Sequence, residues 1–312
     1  MGEQAQKIGK KLEGFGEKLF SGFGWDELAR DQEIECRRSN HNKRTHGLDL
    51  LMNFKNPYLG CKQGIIIECK NRQMKSITQD NLNVWVAELI NTIECSQSAQ
   101  ELVEVKTDNM NLNTGLLLVH ANDEFKKHLF DKYLSNLKVS NRRNPINIFV
   151  AGNEEIYRWN SLLNKIETIR SDDFQFIYPS IEGSNMEKGK YITINQLYSK
   201  YIFAQDLAME TKYKNGTSYK EPKKRKIMIS FDEISRNCFK YMWSMFKEFQ
   251  FQDAEEMVFI FYPRRKDDVE FIKENFIKTL YQIEPPIDAD IENRIKIEFI
   301  DNRSLSPVDG GR

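Results

Sequence analysis

Three residues have the types and spacing to do chemistry together: Asp49, Glu68 and Lys70. Residues i and i+2 of a β-strand project from one face, so Glu68 and Lys70 point together and Cys69 points the other way. Asp49 lies in a preceding run, residues 47–54, that also reads as a strand, with Leu48 and Leu50 facing the opposite side. Pairing of the two strands sets Asp49 beside Glu68. Two carboxylates held this close repel each other unless a cation sits between them. Magnesium suits such a pair, because it takes oxygen ligands from one or two carboxylates, waters and substrate phosphates. We expect Asp49 and Glu68 as ligands of Mg2+, with Mn2+ as a substitute, and a backbone carbonyl at Cys69 as a further ligand. Lys70 then orients or deprotonates an attacking water and balances charge on the phosphate, a task suited to a compact, mobile ammonium. This set of groups predicts phosphodiester hydrolysis.

The elements that must hold these groups follow from periodicity and punctuation. Ala5, Ile8, Leu12, Phe15 and Leu19 form one apolar stripe of a helix that ends near Gly22 and Gly24. A strand is expected over 33–37, then a polar, basic loop over 38–45. Residues 47–54 and 64–70 read as strands joined by turn material containing Pro57 and Gly60, so an antiparallel hairpin is expected. A helix beyond Thr78 buries Leu82, Trp85, Val86, Leu89, Ile90 and Ile93. Strands are expected at 115–120 and 146–150, with an amphipathic helix over 124–137 between them. This alternation favours α/β layers. A boundary is expected around 179–185, dividing a first domain, 1–178, from a second α/β domain, 179–312. The second domain's expected strands are 191–194, 226–231, 257–262 and 295–300, with a basic loop over 220–226 and two amphipathic helices.

Composition narrows the classes. The chain has 312 residues, enough for about two domains, and 46 basic against 46 acidic side chains. A net charge of zero means that any nucleic-acid binding depends on local patches. There is no apolar leader and no run long enough to span a bilayer, so a cytoplasmic protein without membrane contact is expected. The five cysteines include no C-x-x-C pair, which argues against a disulfide framework and against a structural zinc site. His41, His46, His120 and His128 show no ligand spacing, and loop polarity or capping is their expected role. The basic clusters Arg37-Arg38, Lys43-Arg44, Lys70-Asn71-Arg72, Arg142-Arg143, 223–226 and Arg264-Arg265-Lys266 are solvated faces by default. The first three flank the proposed site, which makes a phosphate-tracking groove plausible.

The pattern Gly47-Leu48-Asp49, a short gap, then apolar residues ending in Glu68-Cys69-Lys70 resembles the PD-(D/E)XK nuclease superfamily, of restriction-endonuclease-like fold. The Holliday-junction-resolvase and Mrr-type branch is the most similar in layout. Its members place a glutamate on a helix before the core strands, then a Gly-aromatic pair and a basic strand. Gly16-Glu17, Gly24-Trp25 and Arg37-Arg38 occur here in that order. Leu48 stands where the family name has proline. The resemblance covers residues 14 to about 95 by motif and continues to about 150 by element order. It implies a mixed sheet flanked by helices, with Asp49 and Glu68 as metal ligands, Lys70 as the catalytic lysine and Glu17 as the helix carboxylate. It also implies Gln79 as a polar group on the helix after the lysine, and cleavage of DNA by water. Arg37, Arg38, Lys43, Arg44, Arg72 and Gln79 are the expected nucleic-acid contacts. Control by a second protein subunit or a homodimer is expected, in a layout similar to nuclease subunits of two-component antiphage defence systems. Two rival readings stand beside this one. The first is an inactive nuclease fold that binds nucleic acid or assembles a complex. The second is a structure-specific or RNA-directed nuclease.

Overall fold

The computed structural model describes residues 2–107, 109–139, 144–179, 186–214 and 216–301. The chain divides into two units that meet at Asn160/Ser161. The first opens with helix α1 (Gly2–Gly22). Gly24, at φ 84°, then turns the chain into strand β1 (Asp26–Glu35). Strands β2 (Thr45–Lys55) and β3 (Lys62–Arg72) follow as the expected antiparallel hairpin. Helix α2 (Gln79–Ser96) starts at Thr78, whose side chain caps it by accepting from the Asn81 N–H at 3.3 Å. The unit continues through β4 (Met110–Ala121), α3 (Lys127–Ser135), β5 (Asn147–Ala151) and α4 (Asn153–Ile169), which runs across the division.

The sheet order is β1-β2-β3-β4-β5, antiparallel through β3 and parallel beyond it. Ile65 to Ile67 and Leu116 to Val119 are fully buried because helices cover both faces. Gly16 of α1 lies against Leu50 and Leu118, whereas Gly115 lies against Leu89 and Ile93 of α2. Positions 115 and 118 have opposite parity along β4, so α1 and α2 pack on opposite faces. A Cβ at Gly115 would sit 2.7 Å from Ile93, and this close approach is why glycine stands there. The mixed, helix-flanked sheet is the one that the family resemblance implies.

The second unit contains β6 (Gln175–Tyr178), β7 (Glu187–Gly189), α5 (Ile194–Tyr198), β8 (Tyr201–Lys214), β9 (Thr217–Ser230), α6 (Arg236–Glu248), β10 (Glu256–Phe261), α7 (Lys266–Leu280), α8 (Ala289–Arg294) and β11 (Ile295–Phe299). Its sheet order is β11-β10-β9-β8-β6-β7. An aromatic core joins Phe239, Trp243 and Phe246 of α6 to Phe259, Phe261 and Phe276.

Several expectations change. The expected division at 178/179 falls later than the observed one, because β6 already hydrogen-bonds to β8 in the second sheet. Part of the expected boundary, 180–185, lies outside the described residues. The expected strand over 191–194 is instead the entry to α5. Thr193 and Gln196 form a reciprocal capping box there, a local signal that overrides the apolar run. The basic segment 220–226 is not a loop but half of the long β8–β9 ribbon. Much of that ribbon is exposed on both faces, so no buried stripe marked it as strand. Helix α4, absent from the expected elements, begins one residue after β5, with Asn153 bonded to the Ala121 backbone in both directions. Among the described residues, no helix is long and apolar enough to cross a membrane.

Candidate active site

The site forms where the β2–β3 ladder ends. Backbone pairing runs from Lys55↔Lys62 to Leu50↔Ile67. One step further, Asp49 comes opposite Glu68, and its side chain takes over from the backbone. Asp49 Oδ2 accepts the Cys69 N–H at 2.7 Å. Glu68 and Lys70, on one face of β3, form a direct ion pair that is nearly buried, with side chains 12% and 16% exposed. The register Arg30↔Leu50 and Gln32↔Leu48 places Asp31 of β1 across from Asp49 on its other side. Asp31 adopts φ 47°, a left-handed conformation that costs a non-glycine residue energy and concentrates at functional sites.

Burial and mutual repulsion perturb these carboxylates. Burial raises Glu68, Asp49 raises it further, and together they outweigh the Lys70 ammonium, so Glu68 is pushed up to about 7. Asp49 is also raised, by burial first, against the Cys69 hydrogen bond and the Lys70 charge that pull it down. Glu13 of α1 is pushed up to about 7, by burial and then by Asp49 and Asp31. Burial opposes the charge on Lys70, but Glu68 and Asp49 outweigh it and hold the ammonium above its ordinary value. Acidic groups that raise one another, with one ammonium among them, are short of positive charge. The donor set is all oxygen, so it fits a hard divalent cation.

The sequence-predicted residues fall into three groups. Asp49, Glu68 and Lys70 come together. Cys69 is buried; burial first, then Asp49, Glu68 and Glu13, push its thiol well up, and its backbone N–H donates to Asp49. Glu17 does not join them: it pairs with Arg30 at 3.3 Å. The α1 carboxylate that senses Asp49 is Glu13, one turn earlier. The two lie on the same face of α1, and only their position along the axis separates them. Among the expected contacts, Arg37, Arg38, Lys43, Arg44 and Arg72 are exposed. Lys43 pairs with Glu88 of α2 at 2.7 Å. Gln79 donates to the Tyr133 carbonyl at 3.0 Å and ties α2 to α3. Arg142 and Arg143 lie outside the described residues. Lys223 pairs with Glu256 and Arg264 donates to the Phe231 carbonyl, both within the second unit.

The residues that sequence reasoning missed are Glu13 and Asp31. Glu13 was legible as an i, i+4 partner of Glu17. Asp31 was hidden because the first strand was expected to begin at Glu33. The histidines also differ from expectation. His41, His46 and His120 are buried, and His120 Nδ1 lies 3.1 Å from Asn71 Oδ1, so loop polarity describes none of the three.

No curated protein matches the chain. A family model described as "GAPS4 protein PD-(D/E)XK nuclease domain" matches residues 1–155. That span covers α1 to β5, the sheet and the site just described. The N-terminal half of this chain therefore belongs to the PD-(D/E)XK nuclease superfamily.

Proposed function

We propose that this chain is a divalent-metal-dependent endodeoxyribonuclease of bacterial antiphage defence or restriction, acting in the cytoplasm with Mg2+ as its ion and Mn2+ as a substitute. The observation that carries the reading is the meeting of Asp49 and Glu68 at the open end of the β2–β3 ladder, with Lys70 on Glu68. Asp49 and Glu68 would hold the ion with the Cys69 carbonyl, and Glu13 takes the helix-carboxylate role first expected of Glu17. The bound ion supplies Lewis acidity toward the phosphate and neutralises charge there. Lys70 holds the attacking water in line and offsets the charge that develops on the phosphoryl oxygens. Glu68 keeps the ammonium charged and limits its rotation. Asp49, anchored by the Cys69 N–H, holds one carboxylate oxygen in place before substrate arrives. Arg37, Arg38, Lys43, Arg44 and Arg72 are exposed and would track phosphates without reading bases. The second unit would bind a partner subunit, a second copy or the substrate, and so control cleavage.

The test is cleavage by the full chain of duplex DNA, single-stranded DNA, a four-way junction and RNA, each with Mg2+, Mn2+ and excess chelator. Metal-dependent DNA cleavage that disappears in Lys70→Ala is expected. Retained DNA binding with no cleavage under either metal would favour the inactive subunit. Cleavage of RNA or of the junction alone would favour the second rival.

A further inference from the structure

A second cluster of metal-ligating groups lies in the same unit and takes no part in the carboxylate site. Cys36, His41, His46 and Cys95 bring one ligand atom each to within 4.8 Å of all the others. His41 Nδ1 is 3.3 Å from His46 Nε2, 3.6 Å from Cys36 Sγ and 3.4 Å from Cys95 Sγ, and the two sulfurs are 3.9 Å apart. A tetrahedral zinc ion, with bonds of about 2.3 Å to sulfur and about 2.05 Å to nitrogen, requires edges of about 3.8 Å between sulfurs and about 3.3 Å between nitrogens. The sulfur–sulfur edge of 3.9 Å and the nitrogen–nitrogen edge of 3.3 Å match these, and all other pairs lie within 4.8 Å. We propose that Cys36, His41, His46 and Cys95 form a structural zinc site.

The surroundings agree. His41, His46 and Cys95 are buried and Cys36 is half-buried. Soft thiolates with imidazoles in a tetrahedron select zinc over the hard cations suited to the carboxylate site. The other nitrogen of His41, Nε2, donates to Glu94 Oε2 at 3.0 Å. That bond leaves Nδ1 with its lone pair toward the cluster, the carboxylate–histidine arrangement that orients metal ligands. Loading Zn2+ would release the two thiol protons. Two thiolates, two neutral imidazoles and one dication then sum to zero charge, as burial requires.

The ligands come from four places in the unit. Cys36 follows β1, His41 ends a short 3-10 turn (Ser39–His41), His46 lies in β2 and Cys95 in the last turn of α2. The ion would staple the β1–β2 connection to α2. That connection carries Arg37, Arg38, Lys43 and Arg44, so the staple would fix the basic loop while four protein ligands leave no open position for catalysis. This assignment corrects the expectation from spacing that no structural zinc site exists. Ligands drawn from separate elements have no regular spacing to find.

The test uses the full chain, expressed with added zinc and freed of loose metal over a chelating resin. Mass spectrometry should find about one zinc per chain. A mercurial thiol reagent should release it, and Co2+ loaded in its place should give the strong visible absorption of tetrahedral thiolate ligation. Cys36→Ser with Cys95→Ser should lose the metal, whereas Asp49→Asn should keep it, which separates this site from the proposed nuclease site. Folded wild-type protein with less than about a tenth of a zinc per chain would overturn the proposal. So would zinc that resists the mercurial, zinc lost in Asp49→Asn, or a Cys36–Cys95 disulfide in protein purified without reductant. The mercurial and cobalt readings use wild-type protein, so they stand even if the double variant fails to fold.

Discussion

Asp49→Asn separates the chemistry of the carboxylate site from its effect on stability. Asparagine keeps an oxygen able to accept the Cys69 N–H, now at 2.7 Å, and loses the charge. Glu68 stands at about 7 instead of 4.5, through burial and then Asp49. A carboxyl with a raised folded pKa keeps its proton in the folded state where the unfolded chain has lost it. Its contribution is therefore full below pH 4.5, falls as pH rises to about 7 and stays low above. At about 1.4 kcal/mol per pH unit, Glu68 alone destabilises the apo unit by at most about 3 kcal/mol above pH 7. Burial persists in the variant, so only the part of that cost due to Asp49, roughly 1 kcal/mol, is relieved, and the buried Asp49 charge, itself disfavoured by burial, is removed as well. A unit of this size gains about 2–4 °C per kcal/mol. We expect Asp49→Asn to melt a few degrees above wild type at pH 8 without divalent ions, with a smaller gap at pH 5, where Glu68 keeps its proton in both proteins. Cleavage should fall by about 10³-fold, and added Mg2+ should stabilise wild type only. Calorimetry across pH, in buffer stripped by a resin that leaves bound zinc in place, makes the measurement. A variant that melts below wild type at pH 8, or a gap of equal size at pH 5, would refute the reasoning.

Two further outcomes follow from the same geometry. Glu13→Gln should raise the Mg2+ concentration for half-maximal cleavage about 10-fold or more, while Glu17→Gln stays within about 3-fold, as read from metal titrations of cleavage rate. The reverse order would return the helix carboxylate to Glu17. In the second unit, Lys226 is lowered to about 8 by burial first, then by Lys188 and Lys224. The folded chain sheds this proton between about 8 and 10.5 while the unfolded chain keeps it, so stability rises with pH across that window. Lys226→Met should therefore raise the melting temperature of this unit at pH 7 and lose that advantage towards pH 10. An advantage that grows with pH would show that the Lys226 contacts to Gln205 and the Phe251 ring outweigh burial.

Asp49, Glu68 and Lys70 were legible because their relation is local. A period of two sets Glu68 and Lys70 on one face, and a short turn forces the hairpin that brings Asp49 alongside. The Thr78 cap and the Thr193–Gln196 capping box are equally local, although the second was read as strand. Periodicity says which face a residue occupies but not how far along a helix the partner lies. Glu13 and Glu17 share a face, and only the docking of α1 on Leu50 and Leu118 decides which of them meets Asp49. Asp31 required the β1–β2 register. Cys95 reaches Cys36, His41 and His46 only because α2 packs beside the β1–β2 connection. The sequence by itself determined the two facing strands and the polar side chains they bring together, since both follow from neighbours a few residues apart. Tertiary structure alone decided the helix carboxylate and the Cys2His2 cluster, because their members meet through packing and strand order, which leave no periodic trace in the chain.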